Sequence, residues 1–140
     1  MKVLFICEGN IMRSQMAEAF YNSLTGTHDA TSAGAAADNG VPVSPDVLLA
    51  MRDIGIDMAG MTSTRLTQKM FEDADKVIAF PTPFMPRWVL DDPKTEYWDV
   101  SDPFYMADDG TNHIAAVRDD IEARVKNLIK ESEANYGRKA

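Results

Sequence analysis

Val3-Leu4-Phe5-Ile6-Cys7-Glu8-Gly9-Asn10-Ile11-Met12-Arg13-Ser14 sets a short apolar run against a polar loop and the start of a helix. Four consecutive apolar residues bounded by Glu8-Gly9-Asn10 predict a fully buried strand, because a strand covered on both faces needs no alternation. From Ser14 to about Leu24 the reading turns helical. Met16, Ala17, Phe20 and Leu24 recur at helical spacing, and Thr25-Gly26 ends the run. The same alternation continues along the chain. Ala30–Ala33 predicts a short strand, Pro45–Ile54 a helix with Val47, Leu48, Met51 and Ile54 on one face, and Thr67–Glu72 another helix. Val77–Phe80 reads as a buried strand halted by Pro81 and Pro83, and Thr95–Trp98 as a further strand. Residues 81 to 94 hold four prolines and give no regular element. A last helix spans Asn112–Glu131, with Ile114, Val117, Ile121, Val125 and Leu128 facing inward. Four strands alternating with helices imply right-handed crossovers and an α/β three-layer sandwich, its four-stranded parallel sheet flanked by helices. No repeat, low-complexity tract or Gly/Ser linker divides residues 1–140, so a single domain is expected.

Composition narrows the function classes. Among 140 residues, 22 acidic against 14 basic side chains give a formal charge of −8, which disfavours nucleic acid and anionic membrane surfaces as partners. One cysteine excludes an intrachain disulfide, and with only His28 and His113 beside it no metal site or cofactor is expected. The opening apolar run is too short for a leader, and no stretch approaches 18 apolar residues. The expected location is therefore the cytoplasm, with the thiol reduced. The nine methionines are scattered and read as core filling. Trp88 and Trp98 read equally well as packing residues or as the edge of a site.

The chemistry concentrates in Cys7–Ser14. In a parallel α/β sheet, ligands bind beyond the carboxyl ends of the strands, where this loop falls. A helix start leaves backbone N–H groups without partners and favours anions, so a loop curled over it cradles a tetrahedral oxyanion. The expected cradle is Glu8, Gly9, Asn10, Ile11, Met12, Arg13 and Ser14. Arg13 adds a planar fork for two oxygens, and Gly9 allows close backbone approach. An electropositive loop of this kind favours a thiolate at Cys7 without a histidine base. Asn10 and Ser14 read, on local grounds, as a turn residue and a helix cap.

The run from Val3 to Ala19 resembles the opening of the low-molecular-weight protein tyrosine phosphatase superfamily, which includes structurally related arsenate reductases. The likeness continues at Ser32-Ala33-Gly34, Gly55-Ile56-Asp57, Val77-Ile78 and Asp102-Pro103, in the family's order. It implies a phosphate-binding loop after the first strand, with Cys7, Arg13 and Asp102 as catalytic residues. Asp102 resembles the family's general acid, which protonates a leaving oxygen and then activates water against a phosphocysteine. Asp99, Asp108 and Asp109 are neighbouring carboxylates that compete for that role. The resemblance also implies that Asn10 holds the loop's shape, that Ser14 donates to the thiolate, and that Phe104 and Tyr105 line a slot for a phosphotyrosine ring.

The chain departs from the family pattern in two places. Met12 stands where many of these phosphatases carry a second cysteine, so protective disulfide formation is excluded. Phe80–Pro86 lacks the cysteines of the thioredoxin-coupled reductases, so a disulfide cascade within the chain is excluded too. Residues 43–57 and 117–130 are more similar to the arsenate branch, whereas Phe104-Tyr105 resembles the phosphatase branch. After Gly34, Ala35-Ala36-Ala37 offers no aromatic for the slot. Two reactions are therefore expected. The first is phosphomonoester hydrolysis, on a phosphotyrosine-containing protein or a small aryl phosphate. The alternative is single-cysteine arsenate reduction with an external thiol or a glutaredoxin-like partner.

Overall fold

In β1 (Val3–Cys7) all five residues are buried, as an unalternated apolar run requires, and the strand carries Cys7 at its carboxyl end. The structure, a computed structural model, describes residues 1–106 and 112–139. The elements that follow are α1 (Arg13–Thr25), β2 (Ala30–Gly34), α2 (Pro45–Arg52), α3 (Gln68–Asp73), β3 (Lys76–Ala79), α4 (Arg87–Leu90), β4 (Thr95–Tyr97), a 3₁₀ turn (Pro103–Tyr105) and α5 (His113–Lys139). The four strands form one parallel sheet in the order β2-β1-β3-β4, with Cys7 opposite Gly34 and Phe5 opposite Ile78. The α/β class and the parallel four-stranded sheet agree with the reading of the sequence. The chain leaves β1 toward β2 on one side and returns to β3 on the other. The crevice beyond their carboxyl ends is the switch point where such sheets bind ligands.

Alternation along β1 divides the core. Val3, Phe5 and Cys7 join Met16, Phe20, Met51, Ile121 and Val125 on the face covered by α1, α2 and α5. Leu4 and Ile6 join Phe71, Val77, Met85 and Val89 on the face covered by α3 and α4. Each fully buried Phe or Ile of this kind contributes roughly 1.5–3 kcal/mol.

Several boundaries and faces differ from expectation. Leu24 is exposed, and Tyr21 takes its place on the buried face of α1, because Gly26 (φ 68°) turns the chain away at the last turn. Helix α2 stops at Arg52, which leaves Ile54 outside it and partly exposed, with Ala50 buried instead. Residues 87–90 form a single helical turn that the prolines around it conceal. Helix α5 runs eight residues past Glu131, since no breaker intervenes before Gly137. Trp98 is a core residue, its ring 5.9 Å from those of both Phe5 and Phe80. Trp88 packs on Phe71 at the surface. His28 is exposed and His113 begins α5.

Candidate active site

The loop after β1 is curled by one unusual backbone conformation. Asn10 has φ 55°, a left-handed geometry that asparagine tolerates better than most residues, and it is fully buried. Its side chain is committed on both ends. Oδ1 accepts from the Thr64 amide at 2.8 Å, and Nδ2 donates to Ser14 Oγ at 2.7 Å. Ser14 Oγ lies 2.9 Å from Cys7 Sγ, and toward a thiolate its hydroxyl is the donor. The Asn10 amide points at the same sulfur from 3.3 Å. Two donors thus converge on Sγ, an arrangement suited to a thiolate. Ser14 lies inside α1 rather than at its cap. Met12 is the cap residue and makes no side-chain capping bond. Among the described residues, none accepts from the backbone amides of Gly9, Ile11, Met12 or Arg13, which leaves them for an anion.

Arg13 is the largest fully buried side chain, 1% exposed, and its position is fixed from the far side of the sheet. One terminal nitrogen donates to the carbonyls of Pro81 (2.9 Å) and Val100 (3.0 Å), just beyond the ends of β3 and β4. The other lies 3.4 Å from Asp102 Oδ2. Nε and one further N–H remain of the fork's five donors. Asp102 is half-buried, and its Oδ1 accepts from the Phe104 amide at 3.0 Å, capping the 3₁₀ turn. Asp99 is exposed, and Asp108 and Asp109 lie outside the described residues.

A cleft of about 180 Å³ is lined by the loop from Cys7 to Arg13 together with Asp102, Phe104 and Tyr105. The structure therefore brings together Cys7, the loop residues to Arg13, Asp102, Phe104 and Tyr105, with Ser14 directly behind the floor. Phe104 (71% exposed) and Tyr105 (66%) stand out from the acid-bearing segment with their rings edge to face at 5.1 Å. Ala35–Ala37 do not line the cleft. They run behind the loop, and the amides of Ala35 and Ala36 donate to the carbonyls of Cys7 and Glu8. Ile11 and Met12 supply the other apolar side chains lining it. Glu8 contributes a side chain that its expected backbone role did not include. Its two oxygens accept from Tyr105 Oη at 2.6 Å and from Thr82 Oγ1 at 2.9 Å. Donation to that carboxylate, before any other cause, raises the Tyr105 phenol above the usual tyrosine range.

Three supporting residues escaped the sequence reading. Gly34 is needed for space: a Cβ there would lie 2.7 Å from the Glu8 carbonyl and 3.0 Å from the Asn10 amide. Gly9, in contrast, has room for one. Gln15 is buried, and its amide donates to the Thr62 carbonyl at 2.9 Å, tying the helix start to the segment that holds Asn10. Thr82 orients Glu8. Gly34 and Gln15 left a trace in the sequence, within the Ser32-Ala33-Gly34 and Val3–Ala19 resemblances, whereas Thr82 left none. Among the described residues, no group of histidine, cysteine, aspartate and glutamate could hold a metal, and no helix is long and apolar enough to cross a membrane.

The model of the low molecular weight phosphotyrosine protein phosphatase family matches residues 2–138. The chain belongs to that family. Within it, a glutaredoxin arsenate reductase from Synechocystis is 34% identical over 134 residues, covering 91% of this chain and 95% of that one. The arginine phosphatase YwlE from Geobacillus stearothermophilus superposes with a TM-score of 0.81 at 26% identity, over 96% and 94% of the two chains. An arsenate reductase in its phosphate-binding state gives 0.75 at 33% identity, over 94% and 98%. This family member is an enzyme, and its relatives divide between phosphatases and arsenate reductases.

Proposed function

We propose that this protein is a phosphomonoesterase that works through a phosphocysteine, with phosphotyrosine in a protein or a small aryl phosphate as substrate. One observation carries the reading. A thiol with two converging donors, a buried guanidinium with free N–H groups and a carboxyl group share one cleft. The loop amides and Arg13 hold three phosphoryl oxygens and orient the ester for in-line attack. Cys7 sulfur bonds to phosphorus as the ester P–O bond breaks, and protonated Asp102 gives its proton to the leaving oxygen. Asp102, now a carboxylate, takes a proton from water as that water's oxygen attacks phosphorus. The S–P bond breaks and the thiolate returns. Phe104 and Tyr105 offer apolar area for a flat ring. The reduced thiol that this chemistry needs fits a cytoplasmic location.

The arsenate reductase relatives favour a second reading, in which Cys7 attacks arsenic with loss of water. An external thiol then attacks the Cys7 sulfur, arsenite leaves with two electrons, and a second external thiol restores Cys7. With one cysteine in the chain, both reducing thiols come from outside.

Turnover of an aryl phosphate is measured beside thiol-dependent reduction of arsenate, with glutathione and a glutaredoxin supplied. Aryl phosphate hydrolysis is expected, abolished in Cys7→Ser and lowered about 10²–10⁴-fold in Asp102→Asn. Arsenate reduction without hydrolysis overturns the first reading in favour of the second.

A further inference from the structure

We propose that Glu8 and Tyr105 are a pair of positioning residues that seat the Asp102 carboxyl at the mouth of the phosphate-binding loop. The inference rests on the phosphomonoesterase reading and concerns how its proton donor is held.

Both oxygens of Asp102 face groups that cannot by themselves place it. Oδ1 caps the turn of its own segment, so that bond moves with the segment. Oδ2 faces Arg13 at 3.4 Å, a long contact to a guanidinium that an incoming phosphoryl group also needs. Something else must fix residues 101–106 relative to the loop. Apart from Asp102 itself, the side-chain hydrogen bond between these two segments, among the described residues, is that of Tyr105 to Glu8 at 2.6 Å. A hydroxyl donating to a carboxylate at that distance belongs to the stronger class of hydrogen bonds. Glu8 is itself preset by Thr82, which follows Pro81, the residue whose carbonyl holds Arg13. The loop, the segment after β3 and the acid-bearing turn are thus joined at one carboxylate.

A second observation concerns charge. A carboxylate inside an anion-binding loop opposes a phosphoryl dianion unless it is turned aside. Both Glu8 oxygens are engaged, by Tyr105 and Thr82, and the residue borders both the 180 Å³ cleft and a wider groove of about 630 Å³ that shares Asp102 and Tyr105. The two neighbouring aromatics also differ in the way this role requires. Phe104 has no polar end and projects freely, whereas Tyr105 uses its hydroxyl. A ring-stacking role alone needs neither the hydroxyl nor Glu8.

Leaving-group dependence separates positioning from packing. Departure of p-nitrophenolate needs little protonation, whereas departure of unsubstituted phenolate depends on the acid. We compare kcat and KM for p-nitrophenyl phosphate and phenyl phosphate in the wild type, Tyr105→Phe, Glu8→Ala, Glu8→Gln and Asp102→Asn. Tyr105→Phe and Glu8→Ala are expected to lower kcat/KM, which reports the steps through departure of the leaving group, about 10-fold for phenyl phosphate and about 2-fold for p-nitrophenyl phosphate. Glu8→Gln keeps an oxygen that accepts from Tyr105 and is expected to recover most of the loss. Tyr105→Phe placed on Asp102→Asn is expected to add little, since both act on one proton transfer. Equal loss of kcat/KM on both substrates, or no change of kcat/KM in Tyr105→Phe, overturns the proposal while leaving the hydrolase reading intact. A wild type that turns over neither ester overturns both.

Discussion

Arg13 donates to two main-chain carbonyls before it meets any anion, and this separates it from an ordinary surface cation. Lysine carries the same charge, but its three donors sit on one nitrogen, without the fork that lets one nitrogen hold Pro81 and Val100 while the others face a phosphoryl group. Arg13→Lys is therefore expected to lower kcat/KM for p-nitrophenyl phosphate by about 10²–10³-fold. It is also expected to cost about 1–3 kcal/mol in chemical unfolding, as a buried carbonyl loses its donor. Retention of more than about a tenth of the activity would show that a point charge suffices. At this scale the sequence was most informative where the residues are local. Cys7, Arg13 and Ser14 lie within one loop and helix turn, and their types advertise anion chemistry. The partners that fix them do not. Pro81 and Val100 act through backbone oxygens, which every residue type possesses, so no spacing rule could select them.

At the scale of elements, the end of β2 presses on the loop that follows β1. The register opposite Cys7 leaves no room for a side chain at Gly34, where the nearest atoms include main-chain oxygen and nitrogen that cannot swing aside. Gly34→Ala is expected to lose about 1–3 kcal/mol in denaturant unfolding, as overpacked sites do, and to lose activity because the displaced atoms belong to Glu8 and Asn10. Gly9→Ala, which meets only Ile11 at 3.8 Å, is expected to unfold within about 0.5 kcal/mol of the wild type. Strands β1 and β3 were legible because a short unbroken apolar run between turn residues fits a buried strand and little else. Helix α4, four residues among prolines, is too short to show a period. The far end of α5 was missed because polar residues continue a helix without marking it. Asp102 was found by resemblance, since nothing local distinguishes it from Asp99.

For the whole molecule, a charge of −8 is compatible with the proposed anion site because the groups that would hold the anion are local: one loop, one helix start and Arg13. A separate acidic group sets part of the pH response. Glu18 on α1 is held above the ordinary value of 4.5 by burial, which outweighs donation from Ser32 on β2. A carboxyl raised in the folded state binds more protons than in the unfolded chain. Its protonated form therefore favours folding below pH 4.5, and that contribution is lost as pH rises through the folded value. Glu18→Gln, which still accepts from Ser32, is expected to be more stable than the wild type at about pH 7. The advantage should vanish toward about pH 4, and melting curves across that range test it. An advantage independent of pH would assign the effect to packing.

Arg13 and Asp102 are separated by 89 positions, and that spacing has a consequence during synthesis. At about 5–20 residues per second, the ribosome delivers the thiol of Cys7 roughly 5–19 s before the Asp102 carboxylate. Carbonyls 81 and 100, which seat the guanidinium, also arrive late in that interval. Throughout it, Cys7 travels on a nascent chain without its finished cradle. Until the cradle closes, Cys7 lacks the donors that favour a thiolate and reacts as an ordinary free cysteine.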